Sequence, residues 1–505
     1  MNALQVATAI CVRLQNAGFM ALFVGGCVRD TFLGVTPKDY DVATNADPIQ
    51  VRAIFGNQAK ATIGFGEDTG VVLVAIDGLT IEVATFRSES GCSDGRRPDK
   101  VELLTEHTAM EALRLDAERR DLTINAMYCD PISGAIHDFF GGREDIVARL
   151  LRAVGDASTR IIEHPSRMLR AVRFMSQTGF ALDSQLHAAI RDHARDLRPG
   201  DKTPWETIAK ELEKTLLGKE PVAAMELLME CGLMAEILPE MLPMCGELGE
   251  QDSIWHPEGN AWVHTLMVLA EAAKEDSQDK SFAFMLGVLL HDIAKPNTKE
   301  TRVENHDGRL VLRISNNKHD KVGAEMAAVI CDRLRLPKET RQRVCDLVEL
   351  HMSMHRFNDP GVKPGTLVKL LQRPDIMDLI KLQHADAMGT GRTEEERQRA
   401  SLRQFYLEKI ASLNASPVPA QRLNAPALVD GALLKAHGFN PGPIFKLIKG
   451  RAFVAQHQGE FADLEGANQW LIANAETFRA MTAAEIALQL QADEAQPISS
   501  SINCC

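Results

Sequence analysis

The sequence predicts an α/β N-terminal module followed by a mostly α-helical remainder, and three observations carry that expectation. Short apolar runs broken by turn residues crowd the segment up to about residue 150. From about Glu144 onward those strands give way to Leu, Ala, Arg and Glu at helical spacing, as at Leu169, Val172 and Met175. The 505 residues exceed a single ordinary core, so three or four domains are expected.

The elements follow in order. Ala21 to Val24 is an apolar run that ends in Gly25-Gly26, and Val71 to Ile76 and Thr80 to Phe86 flank Asp77-Gly78, a hairpin turn signal. Hairpins of this kind describe an α/β module that is not a repeating βαβ array. Interruptions at Pro199-Gly200, Gly246 to Asp252 and Ala415 to Pro419 mark further boundaries, giving parts 1–150, 151–250, 251–400 and 401–505. The tail after Gln491 is expected to be disordered, with Cys504 and Cys505 at a frayed end.

Composition bounds the function. Hydrophobic residues at 45% and charged residues at 25% exclude a disordered, collagenous or wholly membrane-embedded chain. A net charge of -13 argues against coating nucleic acid by bulk attraction and leaves room for a local basic cleft. Ten cysteines without a C-x-x-C pair fit a reducing compartment. Met1 to Ala21 carries no targeting pattern and no run approaches the roughly 18 apolar residues of a spanning helix, so the expected location is the cytoplasm, without membrane contact.

The densest chemistry begins at Phe23-Val24-Gly25-Gly26-Cys27-Val28-Arg29-Asp30, followed by Lys38-Asp39-Tyr40-Asp41-Val42. A strand entering a Gly-Gly turn before a helix lets backbone amides approach an anion, although such turns also serve as plain punctuation. Asp39 and Asp41 are two apart, so an extended segment points both carboxylates to one face, where a cation would relieve their repulsion. Mg²⁺ suits such hard oxygen ligands. The bland alternative is a solvated loop. Glu82, on an alternating run, is either a third carboxylate for that site or the partner of Arg87. Arg167, Arg170 and Arg173, three apart, form one helix stripe with Leu169 and Val172 turned away. Arginine forks suit phosphate oxygens and base edges, while a solvated face is the simpler role.

In order, Gly-Gly-x-Val-Arg-Asp, Lys-Asp-x-Asp, Ser93-Asp94-Gly95-Arg96-Arg97-Pro98-Asp99, Arg119-Arg120-Asp121-Leu122-Thr123-Ile124-Asn125-Ala126 and Arg167-Met168-Leu169-Arg170-Ala171-Val172-Arg173-Phe174 resemble the class II tRNA nucleotidyltransferase and bacterial poly(A) polymerase family. The resemblance spans residues 20 to about 180. It implies a polymerase-β-like nucleotidyltransferase head, a helical neck, and untemplated nucleotide addition to RNA 3′ ends, with tRNA, CTP and ATP as partners. It further implies that Asp39 and Asp41 hold Mg²⁺ and that Gly26 and Arg29 contact the triphosphate. Arg120, with Asp121 and Asn125, would hold the nucleotide, and Arg167, Arg170 and Arg173 would contact its base and phosphates. The chain departs from the family pattern Glu-Asp-x-x-Arg, because it has Glu163-His164-Pro165-Ser166-Arg167. A neutral imidazole offers one donor and one acceptor where the family offers two carboxylate oxygens, so His164 implies a different way of selecting the base. Gly66-Glu67-Asp68-Thr69-Gly70 is a second departure, placing acidic residues where relatives carry a shorter turn.

A second constellation lies further on. His264 follows Trp255-His256-Pro257-Glu258-Gly259, an apolar run leads into His291-Asp292-Ile293-Ala294-Lys295-Pro296, and His319, His351 and Asp386 come later. Imidazole and carboxylate together suit a transition metal such as Mn, Fe, Ni or Zn. His264, His291-Asp292 and Asp386 resemble the HD phosphohydrolase pattern, and His319 and His351 resemble its two-metal forms. The resemblance implies that Lys295 orients a phosphate, and it leaves His256, His306, His355 and His384 as non-ligands. The segments from Leu428 to Gly431, His437 to Phe445 and Gln456 to Glu460 resemble the tail of bacterial HD-containing CCA-adding enzymes, with Lys446, Lys449 and Arg451 as RNA-backbone candidates.

Three readings follow. The leading one is a CCA-adding tRNA nucleotidyltransferase with an HD phosphohydrolase; a near alternative is a poly(A) polymerase or a partial CC- or A-adding enzyme. A reading of another class is an RNA-repair phosphohydrolase whose nucleotidyltransferase module mainly binds RNA. No stable protein partner is expected.

Overall fold

Alternating apolar residues in the N-terminal part build a mixed seven-stranded sheet, shown in a computed structural model that describes residues 1–60, 70–90, 100–306, 309–355 and 364–495. Its strands are β1 (Ala21–Val24), β2 (Asp41–Thr44), β3 (Ala59–Lys60), β4 (Val71–Ile76) and β5 (Leu79–Thr85), joined later by two more. β6 (Arg87–Ser90) and β7 (Lys100–Leu103) form a separate ribbon, and β8 (Met127–Cys129) and β9 (Ile136–Asp138) complete the sheet in the order β3-β4-β5-β2-β1-β8-β9. The hairpin signal is realised at Ile76↔Leu79, where Asp77 and Gly78 have φ of 51° and 79°, the left-handed pair that a two-residue turn of matching twist requires. Residues 61–69 and 91–99, which include the motif Ser93 to Asp99 and all but the last glycine of the departing segment Gly66 to Gly70, lie outside the described residues.

Helices α1 (Ala3–Asn16), α2 (Gly26–Phe32), α3 (Pro48–Phe55) and α4 (Ala109–Glu118) accompany the sheet. In α1 the buried positions Val6, Ala7, Ile10, Cys11 and Leu14 follow the helical period, and Asn2 and Gln5 form a capping box at its start. The core behind the sheet gathers Leu22, Val24, Ala43, Phe86, Leu113 and Tyr128. A polar knot is sealed into it. Asp116, 1% exposed, accepts hydrogen bonds from Tyr128 Oη at 2.5 Å, Arg119 Nε at 2.9 Å and Arg120 Nη2 at 3.1 Å. Burial alone would push this carboxyl up, but Arg119, Arg120 and the Tyr128 hydroxyl outweigh it and hold it well below the usual carboxylate range.

After the sheet come α5 (Gly142–Ala148), α6 (Ala157–Glu163), α7 (Arg167–Thr178), α8 (Ser184–His193), α9 (Trp205–Leu216), α10 (Pro221–Glu230) and α11 (Leu233–Ile237), with a small parallel pair, β10 (Leu150–Leu151) and β11 (Ala181–Leu182). Residues Met1–Leu242 with Arg333–Leu336 make one compact unit. Inside it Arg173 of α7 and Glu211 of α9 form a buried ion pair at 3.0 Å.

The other unit comprises Pro243–Asp332 and the chain from Pro337 onward. It contains α12 (Ala261–Ala273), α13 (Phe282–Leu290), α14 (His319–Arg333), α15 (Lys338–Met354), α16 (Pro364–Leu371) and α17 (Ile376–Met388), then α18 (Glu394–Ala400), α19 (Arg403–Asn414), α20 (Gly431–Ala436), α21 (Pro443–Gln458), α22 (Leu464–Ala480) and α23 (Ala483–Ala495). Helix α13 is buried from Ala283 to Leu290, as its unbroken apolar sequence requires. The remainder is mostly helical, as expected, with two features that the sequence did not specify. The helical remainder is interrupted by a hairpin, β12 (Lys299–His306) and β13 (Arg309–Asn316), whose less charged face includes the exposed Val303, Leu310 and Leu312. Helix α23, rich in strong helix formers, runs past Gln491 to Ala495, and the tail beyond it, expected to be disordered, lies outside the described residues. Among the described residues no helix is long and apolar enough to cross a membrane.

Two outcomes follow for the first unit. Glu211→Ala leaves Arg173 buried and unpaired and should cost about 3 kcal/mol, read as a lowered thermal midpoint, whereas the joint replacement Arg173→Met with Glu211→Leu should cost far less. Because the folded Asp116 carboxyl titrates below its unfolded value of about 3.9, its contribution is whole above about pH 4 and is lost as pH falls toward the folded value. The stability gap between the unmodified protein and Asp116→Asn, measured by urea unfolding, should therefore narrow below about pH 4.

Candidate active site and metal centre

The first site grows from the register of two neighbouring strands. Val24 at the end of β1 pairs with Asp41 at the start of β2, so the glycine turn and the carboxylate pair meet although fifteen residues separate Asp41 from Gly26. Gly25 has φ 73° and ψ -124°, a conformation that turns β1 into α2 and that side chains resist. Asp39 lies just ahead of β2, not within it, yet the alternation continues: Tyr40 is buried beneath Phe23, with ring centroids 5.3 Å apart, while Asp39 and Asp41 are exposed. Val42 pairs with Val83 on β5, which sets the exposed Glu82 beside Asp41. Arg87 does not pair with Glu82; it binds Glu89 at 2.7 Å. Although Asp41 reaches solvent, the dense protein around its carboxyl and then the Glu82 carboxylate push the group up to about 6, with Asp39 adding to the rise and Arg120 opposing it. Crowded carboxylates of this kind suit a divalent cation.

Around this edge the arginines are held by partners. Arg29 donates to Asn125 Oδ1 at 2.7 Å and to Asp30 Oδ1 at 2.7 Å, and its guanidinium stacks over Phe174. Arg120 Nε donates to Tyr128 Oη at 3.0 Å, and a Cβ on Gly25 would stand 3.4 Å from Arg120 Nη1. Asp121 accepts from Asn125 Nδ2 at 3.2 Å and from Arg170 Nε at 2.8 Å. Burial would raise the Asp121 carboxyl, but Arg170 outweighs it and holds the group well below the usual range. Arg167 donates to Glu163 Oε2 at 3.1 Å and to the Arg119 carbonyl at 2.7 Å. The expected stripe is not uniform. Arg167 and Arg170 are half-buried, whereas Arg173, 6% exposed, is closed into its pair with Glu211, although its guanidinium stacks on the same Phe174 ring as Arg170. His164 is half-buried; burial and then Arg167 hold its imidazole below the ordinary value, against the pull of Glu89. Glu89 binds Arg119 at 3.0 Å, so salt bridges run from Glu89 through Arg119 and Asp116 to Arg120.

In the second unit His264, His291, His319 and His351 converge with Asp292 and Asp386. His264, His291 and Asp386 form one group, and Asp292, His319 and His351 another, with the ligand atoms of each within 4.8 Å of one another. Their orientation is the telling feature. Nδ1 of His291 donates to the Val288 carbonyl at 2.8 Å, that of His319 to the Asn316 carbonyl at 2.7 Å, and that of His351 to the Val348 carbonyl at 2.6 Å. A carbonyl only accepts, so each Nδ1 carries the proton and each neutral ring has its lone pair at Nε2. Those Nε2 atoms turn inward: His319 and His351 face each other at 3.1 Å, and the buried His291 Nε2 makes no hydrogen bond. Burial, then His319 and His291, pushes His351 down to about 3. Facing lone pairs and an orphaned buried nitrogen fit a bound metal.

Lys295 lies 2.7 Å from Asp292 Oδ2 and also donates to Gln251. The position comes from the turn after α13, where Asn316 Nδ2 donates to the Lys295 carbonyl at 2.8 Å. Sequence reasoning set His256, His355 and His384 aside as non-ligands. The structure brings His355 Nε2 to 2.9 Å from Asp386 Oδ2 and His256 Nδ1 to 2.9 Å from Glu258 Oε1, while His384 bonds Ser401 Oγ at 2.8 Å. Asp116, Glu89, Gln251 and Glu258 were missed, because a residue that holds another functional group carries no spacing signal of its own.

The chain matches three domain models in order: the poly A polymerase head domain over residues 21–152, the probable RNA and SrmB-binding site of polymerase A over 179–245, and the HD domain over 262–398. It is 43% identical over 221 residues, 44% of this chain, to a CCA-adding enzyme of Lactiplantibacillus plantarum, and the match covers 51% of that protein, so the chain spans about half the length of such curated relatives. To a multifunctional CCA protein of Laribacter hongkongensis it is 30% identical over 425 residues, covering 82% of this chain and 96% of that one. Its fold resembles that of the Bacillus stearothermophilus CCA-adding enzyme solved in complex with CTP, with a TM-score of 0.64, 26% identity, and 94% and 98% of the two chains covered. The glycine turn, the carboxylate edge and the histidine cluster thus stand within a match that runs along nearly a whole relative, and the chain belongs to the family of the CCA-adding enzymes and multifunctional CCA proteins.

Proposed function

We propose that this chain is a template-independent tRNA nucleotidyltransferase that adds CCA to tRNA 3′ ends from CTP and ATP, and that its HD domain is a phosphohydrolase. The single observation that carries the first part is the exposed Asp39 and Asp41 pair, crowded by Glu82 and set by strand register against the glycine turn. Relatives bearing the name CCA-adding enzyme support it, as does the complex of one of them with CTP.

Asp39 and Asp41 would hold Mg²⁺, whose charge stabilises the attacking and leaving oxygens when an RNA 3′-hydroxyl displaces pyrophosphate from a nucleotide. The Gly25-Gly26 turn presents backbone amides to the triphosphate, and Arg29, steadied by Asn125, adds a guanidinium. Arg120 and Arg170, fixed by Asp116 and Asp121, line the nucleotide side. Arg173 acts from behind, since its pair with Glu211 anchors α7 to α9. His164 and Arg167 read the base edge, the half-buried imidazole offering one donor and one acceptor. The pattern differs from the carboxylate that the family carries at this position, which favours one second reading, a partial CC- or A-adding enzyme or a poly(A) polymerase.

In the HD domain His264, His291, Asp292, His319, His351 and Asp386 would hold a transition metal such as Mn, Fe, Ni or Zn, a Lewis acid that activates water toward a phosphate ester. Lys295 orients that phosphate. We assign nucleotidyl transfer to residues 1–150, nucleotide and RNA holding to 151–250, phosphate hydrolysis to 251–400 and RNA contact to 401–505. We place the protein in the cytoplasm, a setting consistent with its free thiols, among them Cys11, Cys27 and Cys331.

Purified protein is incubated with tRNA lacking all or part of CCA and with CTP, ATP or both. Asp39→Ala should lower incorporation about a thousandfold, the equivalent of ~4 kcal/mol, while His291→Ala leaves it intact and abolishes release of phosphate from a phosphomonoester supplied in a separate reaction. Absence of incorporation by the unmodified protein sinks the reading, and long A tails on any RNA favour the polymerase alternative. His164→Asp should change the CTP to ATP preference by about tenfold or more, since a good paired contact to a base edge is worth ~1–3 kcal/mol. An unchanged ratio removes His164 from base reading.

A further inference from the structure

Three of the four inward-turned histidines of the second unit are locked at Nδ1 by a neutral backbone carbonyl. His264 differs. Its Nδ1 meets the carboxylate of Glu258 at 2.9 Å, while its Nε2 lies 3.0 Å from Asp386 Oδ1. The Glu258 side chain is 2% exposed, so it is an anion in the interior that needs partners of its own. It has three: His264 Nδ1, His256 Nδ1 at 2.9 Å and the backbone amide of Gly391 at 2.9 Å. Gly391 lies just beyond α17, the helix that carries Asp386, and a Cβ there would stand 2.9 Å from the Glu258 nitrogen, closer than packing allows.

We propose that Glu258 is a positioning residue of the metal centre, one that holds His264 with Nε2 toward Asp386 and makes this imidazole the most electron-rich donor of the four. The proposal rests on the reading of the HD cluster as a metal centre. A carbonyl fixes the orientation of a ligand ring, whereas a carboxylate also draws the Nδ1 proton toward itself and so raises the basicity of Nε2. Through Gly391 the same side chain ties the start of α12 to the end of α17, so His264 and Asp386 are set against each other by one group. His355 completes the arrangement from the far side by holding Asp386 Oδ2 at 2.9 Å. The charge on Glu258 is what distinguishes this role from that of a structural clip.

The test uses the full-length protein with Co²⁺ as the probe, comparing the unmodified chain with Glu258→Gln, which keeps the volume and an acceptor oxygen but removes the charge. Three quantities are read: the Co²⁺ dissociation constant, the visible d–d absorption of the bound ion, and the thermal midpoint of the metal-free protein. The expected result is a metal-free midpoint close to that of the unmodified chain, Co²⁺ affinity weakened about 10–100-fold and a displaced d–d band. Unchanged affinity and spectrum overturn the proposal, and they do so equally if the metal-free midpoint falls, because Glu258 is then a clip alone. Should Glu258→Gln fail to fold, Glu258→Asp keeps the charge but retracts it by one methylene, and unchanged Co²⁺ affinity in that variant overturns the proposal in the same way. If the unmodified chain binds no Co²⁺, the metal-centre reading itself fails and takes the proposal with it, a result separate from binding that ignores Glu258.

Discussion

A guanidinium leaves water only where an anion receives it, and the nucleotide side of the first unit is organised by that constraint. Arg120 and Arg119 share Asp116, Arg170 takes Asp121, Arg167 takes Glu163, and Arg173 takes Glu211. Each pair removes rotamer freedom from a long side chain before any ligand is present. Tyr128, buried in the core and bonded to both Asp116 and Arg120, carries this order from the hydrophobic interior to the site edge. The order of this side therefore comes from local pairs and is independent of the net charge of the chain.

The second unit meets the same constraint with hydrogen bonds in place of ion pairs. Its histidines are oriented by groups on their own helical turns: Val288 holds His291 and Val348 holds His351, each three residues ahead. The apolar run of α13 thus does more than fill the core, since it brings the carbonyl that selects the tautomer of His291. His264 differs in its partner, since its Nδ1 meets the Glu258 side chain, six residues ahead, and a carboxylate takes over the task.

Much of this was legible in the residues. The glycine turn, Asp39 and Asp41, the three arginines and the His-Asp pairs could all be picked out because each is a type and a spacing that chemistry requires. The hairpin at Asp77-Gly78 was readable for the same reason, as only certain residues accept its backbone. Three kinds of fact were not readable. Whether Arg173 faces a ligand or a buried glutamate depends on α9, nearly forty residues away. That Glu82 stands beside Asp41 depends on the parallel pairing of β2 with β5, which no local pattern specifies. The β12–β13 arm was missed because polar residues such as Thr301, Asn305 and Asn316 break up its apolar face and because it interrupts a helical context.

That arm has a consequence for how the chain tolerates change. Lys299 pairs with Asn316, so the feet of the hairpin are pinned at the spacing of adjacent strands, and Lys295 and His319 lie immediately outside them. The separation of those two residues is set at the base of the ladder, not by the number of residues beyond it. Lengthening or trimming the arm by one residue on each strand would preserve the register at the base and leave the pocket unaware of the difference. The metal cluster is in this sense insulated from the outer end of the arm.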